Sequence, residues 1–214
     1  MKTEELDIIA AREVAKLGAQ PSFKGYRGFP ATLCVSVNDE IVHGIPGKRV
    51  LRERDIVSLD FGVIYQGFQG DAAVTVGVGD VSPEAQRLMD TTEGALKAGI
   101  DAARPGTRVG DISAAIQHYA ESRGYSVVRE YTGHGIGRQM HEEPQIPNFG
   151  PAGQGPALKK GMTLALEPMV NIGDWRTSVG DNHWTVSTID GSLSAHFEHT
   201  IAVTDAEPEV LTAL

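Results

Sequence analysis

The stretch Tyr131-Thr132-Gly133-His134-Gly135-Ile136-Gly137-Arg138-Gln139-Met140-His141-Glu142-Glu143-Pro144 decides how this sequence is read. Glycines at 133, 135 and 137 deny the segment a helix and let other groups approach its backbone closely. A histidine set between two glycines is presented rather than packed, although a surface turn with an incidental histidine would look the same. Weight comes from carboxylates elsewhere in strand-like runs: Asp60, Asp71, Glu167 and Glu198. One imidazole and four carboxylates make a hard, oxygen-rich ligand set, suited to a pair of divalent transition ions.

The two aspartates can be placed on paper. Asp55 to Ile64 and Gly70 to Val78 read as a hairpin around Gln66-Gly67. A two-residue loop sets Tyr65 opposite Phe68 and Asp60 opposite Ala73. Side chains alternate along a strand, so Asp71 shares a face with Ala73 and becomes the diagonal neighbour of Asp60, with backbones within about 7–8 Å. Two carboxylates that close repel unless protons or cations intervene. Asp60 also interrupts the apolar run Ile56-Val57-Ser58-Leu59-Asp60-Phe61, where an unpaired carboxylate is costly.

Outward from these segments the chain is ordinary. Its 214 residues favour one domain, spanning 1–214, with a substantial core. With 41% hydrophobic and 22% charged residues it has the balance of a globular protein. The net charge of -9 argues against a broad nucleic-acid footprint. No apolar run is long enough for a membrane span, and the charged start Met1-Lys2-Thr3-Glu4-Glu5 is not a signal peptide. Cys34 is the only cysteine, which excludes an internal disulfide and suits a reducing cytoplasm.

Helices are expected from Thr3, as N-cap, to Leu17, from Ser82 to about Arg104, and from Val109 to Arg123. Strands are expected at Leu33 to Val37, Val127 to Tyr131 and Met162 to Pro168. A last hairpin is expected between Trp184 to Thr188 and Leu193 to Thr204, around Asp190-Gly191. Pro21 to Pro30 is an aromatic loop carrying Phe23, Tyr26 and Phe29. His43 stands at a strand end before Gly44 and Pro46. Residues 144 to 161, with four prolines and four glycines, read as an irregular surface loop. Asp7-Ile8-Ile9-Ala10-Ala11 is echoed by Asp111-Ile112-Ser113-Ala114-Ala115, which hints at two similar halves with a site between them.

With these residues in place, the chain resembles the type I methionine aminopeptidases. The resemblance runs over nearly the whole length. It is carried by Phe29-Pro30 through Val42-His43-Gly44-Ile45-Pro46, Asp60 with Asp71, Gly133-His134-Gly135-Ile136-Gly137, His141-Glu142-Glu143-Pro144, Leu166-Glu167-Pro168-Met169-Val170 and Phe197-Glu198-His199-Thr200, in that order. It implies an α+β pita-bread fold: two pseudo-symmetric halves, a curved antiparallel sheet and helices on its outer face.

The resemblance also implies roles. Asp60 would hold one of two divalent ions (Co, Mn, Fe or Zn), Asp71 and Glu198 would bridge them, and His134 and Glu167 would complete the other. A hydroxide between the ions would attack the scissile carbonyl, and Glu167 would shuttle the proton. His141 would donate to the developing oxyanion, His43 would contact the scissile amide nitrogen, and the free N-terminal amine would meet one ion. Tyr26, Phe29, Cys34 and Trp184 would form the methionine pocket. Asn38, Glu40 and Ser194 would place a monovalent cation. Nascent polypeptide N-termini, met at the ribosome, would be the substrates, with a small second residue preferred.

Two departures stand out. Position 196 is His where the family pattern has Gln. The helix and Pro-Gly turn that usually precede the point matching Thr3 are absent, which leaves the first half with one outer helix and an open apolar patch as the expectation. The alternative is a proline-specific aminopeptidase or dipeptidase of the same fold, which would share all five ligands. A non-catalytic binding protein on this fold should lack them.

Overall fold

The computed structural model describes residues 1–213. Three helices pack against a sheet that has nine strands among the described residues. Its main path runs Gln20–Pro21, Ile56–Tyr65, Phe68–Gly77, Glu198–Ala202, Thr163–Leu166, Thr132–Gly135, Glu142–Pro147, with Cys34–Val37 on Ile56–Tyr65 and Glu209–Val210 on Glu198–Ala202. The recorded pairings are antiparallel. The architecture is the expected α+β one.

The central hairpin has the register derived above: Tyr65 pairs with Phe68, Asp60 with Ala73, and Gly62 with Asp71. Gln66 and Gly67 both adopt positive φ, as a two-residue turn that follows strand twist requires. One face carries Leu59 and Phe61, which pack under Leu6 and Ala10 of α1 (Thr3–Lys16). On that same face Val74 and Val76, cross-strand from Leu59 and Val57, stay 42% exposed. The other face carries Ser58, Asp60, Asp71 and Thr75, all buried.

In the second half, α2 (Pro83–Ala102) and α3 (Val109–Glu121) cover the sheet. Leu88, Leu96, Ile112 and Ile116 pack on Leu164, Leu166 and Ile201 in the largest apolar cluster. Ser82 caps α2 by accepting from Ala85 N–H, with Pro83 as the first helical residue. Thr3 does not cap α1 as expected; Lys2 holds that position. Thr3 is buried and its hydroxyl exchanges hydrogen bonds with the backbone of Gly47 at 2.8 and 3.1 Å, so it pins the helix instead of starting it.

Three strand expectations are corrected. Of the predicted Val127–Tyr131 strand only Val127 lies in a strand, the short Ser126–Val127, and the next strand begins at Thr132. A strand, Glu142–Pro147, takes in the first residues of the loop expected over 144 to 161. It lies on the sheet edge, where Pro144 and Pro147 cost no ladder bond on the open side. The Trp184–Thr188 segment does not hairpin with Leu193–Thr204. Val186–Thr188 pairs with Thr177–Val179 and Glu40–Val42, and Ser194–His196 pairs with Met169–Asn171. The cause lies at Asp190, whose carboxylate accepts from Asp174 N–H and Ser192 N–H and steers the chain from one small sheet to the other.

His134 sits inside the Thr132–Gly135 strand and is 4% exposed, so it is packed from behind as well as presented. The glycines allow this by close approach: a Cβ on Gly133 would lie 2.5 Å from the Ala165 carbonyl oxygen, and one on Gly135 2.3 Å from that of Glu143. Gly135→Ala should therefore destabilise the chain by about 1–3 kcal/mol through forced backbone shifts. Gly47→Ala, with open space around it, should stay within about 0.5 kcal/mol of the parent. Urea unfolding of both variants checks this, and equal midpoints would contradict it.

Candidate active site

Three neighbouring strands deliver Asp60, Asp71 and Glu198, and Glu167 directly follows the Thr163–Leu166 strand. Asp60 faces Ala73, and Ala73 faces Glu198 on its other side. The Phe68–Gly77 strand and the Glu198 strand pair directly only at Ala72 and Ala73. Two residues to either side, threonine hydroxyls replace the ladder. Thr200 Oγ1 accepts from Asp71 N–H at 2.9 Å and donates to Asp71 O at 2.8 Å. Thr75 Oγ1 does the same with His196 N–H and O, both at 2.8 Å. The strands bearing Asp71 and Glu198 are thus clamped on both sides of the site.

His134 enters from the next strands, paired with Ala165. Its Nδ1 lies 2.9 Å from the Gly135 carbonyl, which can only accept, so Nδ1 carries the proton and Nε2 is left with a bare lone pair. That Nε2 is 3.5 Å from Glu167 Oε1. One ligand atom each from Asp71, His134 and Glu198 lie within 4.8 Å of one another, all on buried residues. Asp60 and Glu167 line the same cavity.

The four carboxyls are held far from their usual state. Burial, then the neighbouring carboxylates, pushes Asp60, Glu167 and Glu198 well up; burial raises Asp71 to about 7. No lysine or arginine relieves any of them among the described residues. Asp60 Oδ1 and Glu198 Oε1 are buried with no hydrogen-bond partner. Orphaned carboxylate oxygens, a bare imidazole nitrogen and no cationic side chain paired with the carboxyls among the described residues are what a divalent metal site requires, and these residues fit one.

The cavity, about 650 Å³ counting its open mouth, also gathers Tyr26, Phe29, Cys34, His43, His141 and Trp184. Phe29 and Trp184 meet edge to face at 5.2 Å. Cys34 pairs with Asp60 in the strand register, and burial and the nearby carboxylates push its thiol up, so it is an apolar wall and not a nucleophile. His43 adopts φ 59°, a left-handed turn between the buried Val42 and Gly44, with its ring edge-on to Tyr131 at 5.7 Å and to Trp184 at 6.4 Å. Burial lowers its pKa. His141 is lowered to about 4, by burial first and then the nearby His134, and its Nδ1 lies 2.9 Å from the Tyr26 hydroxyl. Phe23, Arg27 and Met140 also line the cavity and were not singled out from the sequence. Met140 directly precedes His141, and Phe23 belongs to the aromatic loop, so adjacency was the only signal.

A buried imidazole and carboxylate cluster opening onto an apolar wall defines a metal-dependent hydrolase. Residues 1–205 match metallopeptidase family M24. The chain is 52% identical to methionine aminopeptidase 1 of Bacillus subtilis over 99% of its own length and 86% of that protein's. It is 53% identical to methionine aminopeptidase of Clostridium perfringens, over 99% and 85%. The solved methionine aminopeptidase of Thermotoga maritima superposes with a TM-score of 0.98 at 48% identity, over all of this chain and 86% of that one. The chain belongs to metallopeptidase family M24, in its methionine aminopeptidase branch, and its fold is the pita-bread fold. The Pyrococcus furiosus prolidase, 20% identical with a TM-score of 0.80, shares the fold alone and is matched over 56% of its length.

Asp71 predicts a pH signature for metal-free protein. Its folded carboxyl binds a proton up to about pH 7, against an ordinary 3.8. The folded state therefore holds the proton more tightly than the unfolded chain, and stability is lost as pH rises from the lower value toward the higher. Chemical denaturation of chelated protein across this window should show falling stability, and saturating Mn²⁺ should abolish the fall. Rising stability in the chelated protein would contradict the assignment.

Proposed function

We propose that this chain removes the N-terminal methionine of nascent polypeptides with two divalent ions held by Asp60, Asp71, His134, Glu167 and Glu198. The observation that carries the reading is one cavity in which these five side chains meet a wall of Tyr26, Phe29, Cys34 and Trp184. When bound, the ions supply Lewis-acid polarisation of the scissile carbonyl and an activated water at neutral pH.

The chain's own residues do the rest. Phe29, Cys34 and Trp184 seat the methionine side chain, whose polarizable thioether packs well on aromatic edges. In the tautomer where the Tyr26 hydroxyl donates to His141 Nδ1, Nε2 keeps its proton. His141, neutral at pH 7, then donates to the substrate carbonyl oxygen and to the charge that develops there. His43, also kept neutral by burial, contacts the scissile amide. Glu167, ionised once the ions are bound, would take a proton from the attacking water and return it to the leaving amine. The whole chain acts as one catalytic domain, in the cytoplasm, on chains emerging from the ribosome, with Mn, Fe, Co or Zn as the ion. No helix among the described residues is long and apolar enough to cross a membrane. A monovalent cation at Asn38, Glu40 and Ser194 belongs to the same reading. Asn171, paired with Ser194 in the register, has its Oδ1 buried and unpartnered there.

Chelated protein should lose turnover of Met-Ala peptides and regain it with Mn²⁺ or Co²⁺. Met-Lys peptides should be cut far more slowly, and preferential cleavage of Ala-Pro peptides would move the assignment to the proline-specific branch. His43→Ala should lower kcat by about 10²–10⁴-fold with metal content unchanged. Asp71→Ala should lose metal as well. Elemental analysis separates the two, and metal loss in His43→Ala would contradict its placement on the substrate.

A further inference from the structure

His196 is a fully buried titratable side chain two residues from Glu198 that the proposed reaction leaves without a task. It is 1% exposed, and both ring nitrogens are buried without a hydrogen-bond partner. Such a group is uncommon in a native core, where buried polar atoms are paired. Its backbone is fixed on both sides by the Thr75 hydroxyl, which itself meets Ser58 Oγ at 2.8 Å, so the ring cannot leave for solvent without breaking that network.

The ring is directed at one group. His196 Nε2 lies 3.9 Å from Glu198 Oε2, and the other oxygen of the same carboxylate, Oε1, is also buried and unpartnered. At that separation there is no hydrogen bond, and a movement of about 1 Å makes one. A carboxylate that bridges two ions spends one lone pair of each oxygen on metal. The remaining lone pairs need donors, and ligand orientation is then set by whatever supplies them. His134 also lies near Glu198, but with its proton on Nδ1 its Nε2 can only accept, so among the described residues His196 supplies the unpartnered donor nitrogen beside this carboxylate.

We infer that His196 is a positioning residue that donates from Nε2 to Glu198 and fixes the bridging orientation of that carboxylate when the ions are bound. The inference rests on the two-ion reading above. It assigns to His196 a donor function that glutamine could also perform and that an apolar side chain of the same bulk could not.

The test is calorimetric titration of chelated protein with Mn²⁺, together with the visible absorption spectrum of the Co²⁺-loaded protein, on the parent, His196→Gln and His196→Leu. The parent should take two ions. His196→Leu should bind at least one of them about 10- to 100-fold more weakly, with an altered Co²⁺ spectrum. His196→Gln should restore affinity to within a few-fold. Parent-like titration and spectrum in His196→Leu, or a His196→Gln variant as impaired as His196→Leu, would overturn the role. Should His196→Leu fail to fold, His196→Asn, polar but too short to reach Glu198, replaces it, and parent-like affinity there overturns the role equally. A parent protein that takes up fewer than two ions overturns the two-ion reading itself, an outcome distinct from two normal ions in every variant.

Discussion

Four carboxylates crowded under a sheet, with no lysine or arginine paired to them among the described residues, set the terms for the rest of the molecule. Burying even one unpaired carboxylate is expensive, and close like charges add to the cost. Here the acids are neutralised by protons, which their raised pKa values favour, or by cations from outside. Either way the surrounding structure must hold the cluster together against its own repulsion.

The sheet does so by rigidity and not by counter-charge. The ten-residue strands of the central hairpin keep Asp60 and Asp71 in diagonal register. The Thr75 and Thr200 hydroxyls bind the Asp71 strand to the Glu198 strand where the backbone ladder has parted. Each hydroxyl both accepts and donates, so no backbone group is orphaned and no charge is introduced. Neutral clamps introduce no charge that would compete with ions for the carboxylates.

Much of this was legible from the residues alone. The hairpin register followed from a two-residue turn and strand alternation, because local geometry fixes both. Asp60 was suspicious from its apolar run alone. The roles given to Glu167, His43 and Cys34 came from family resemblance, because nothing local marks a strand-end glutamate or a left-handed histidine. The misreadings have a common physical origin. Glu142–Pro147 looked like loop because its prolines break interior strands, and only tertiary placement reveals an edge. The Trp184 and Leu193 segments looked like a hairpin because Asp190-Gly191 is a good turn signal. One of the bonds that turn the chain elsewhere comes from Asp174, distant in sequence. His134 looked exposed because glycine flanks suit both a loop and a strand pressed close by its neighbours.

The fold does not by itself choose methionine. Prolidase from Pyrococcus furiosus reaches a TM-score of 0.80 with 20% identity, so architecture is shared where sequence is not. Selectivity has to come from the wall of the cavity, and that wall is mechanically tied to the chemistry. Trp184 is anchored through its own N–H and that of Thr185, both donated to Asn182 Oδ1. Its ring meets Phe29 on one edge and His43 on another. On the reading proposed above, a side chain that fills the space beside Phe29 would load the same indole that backs His43. Binding energy from a part of the substrate that does not react is in this way available to position the part that does. A smaller side chain would leave Trp184, and with it His43, less constrained, so on that reading methionine would be distinguished by its effect on rate as well as by its affinity.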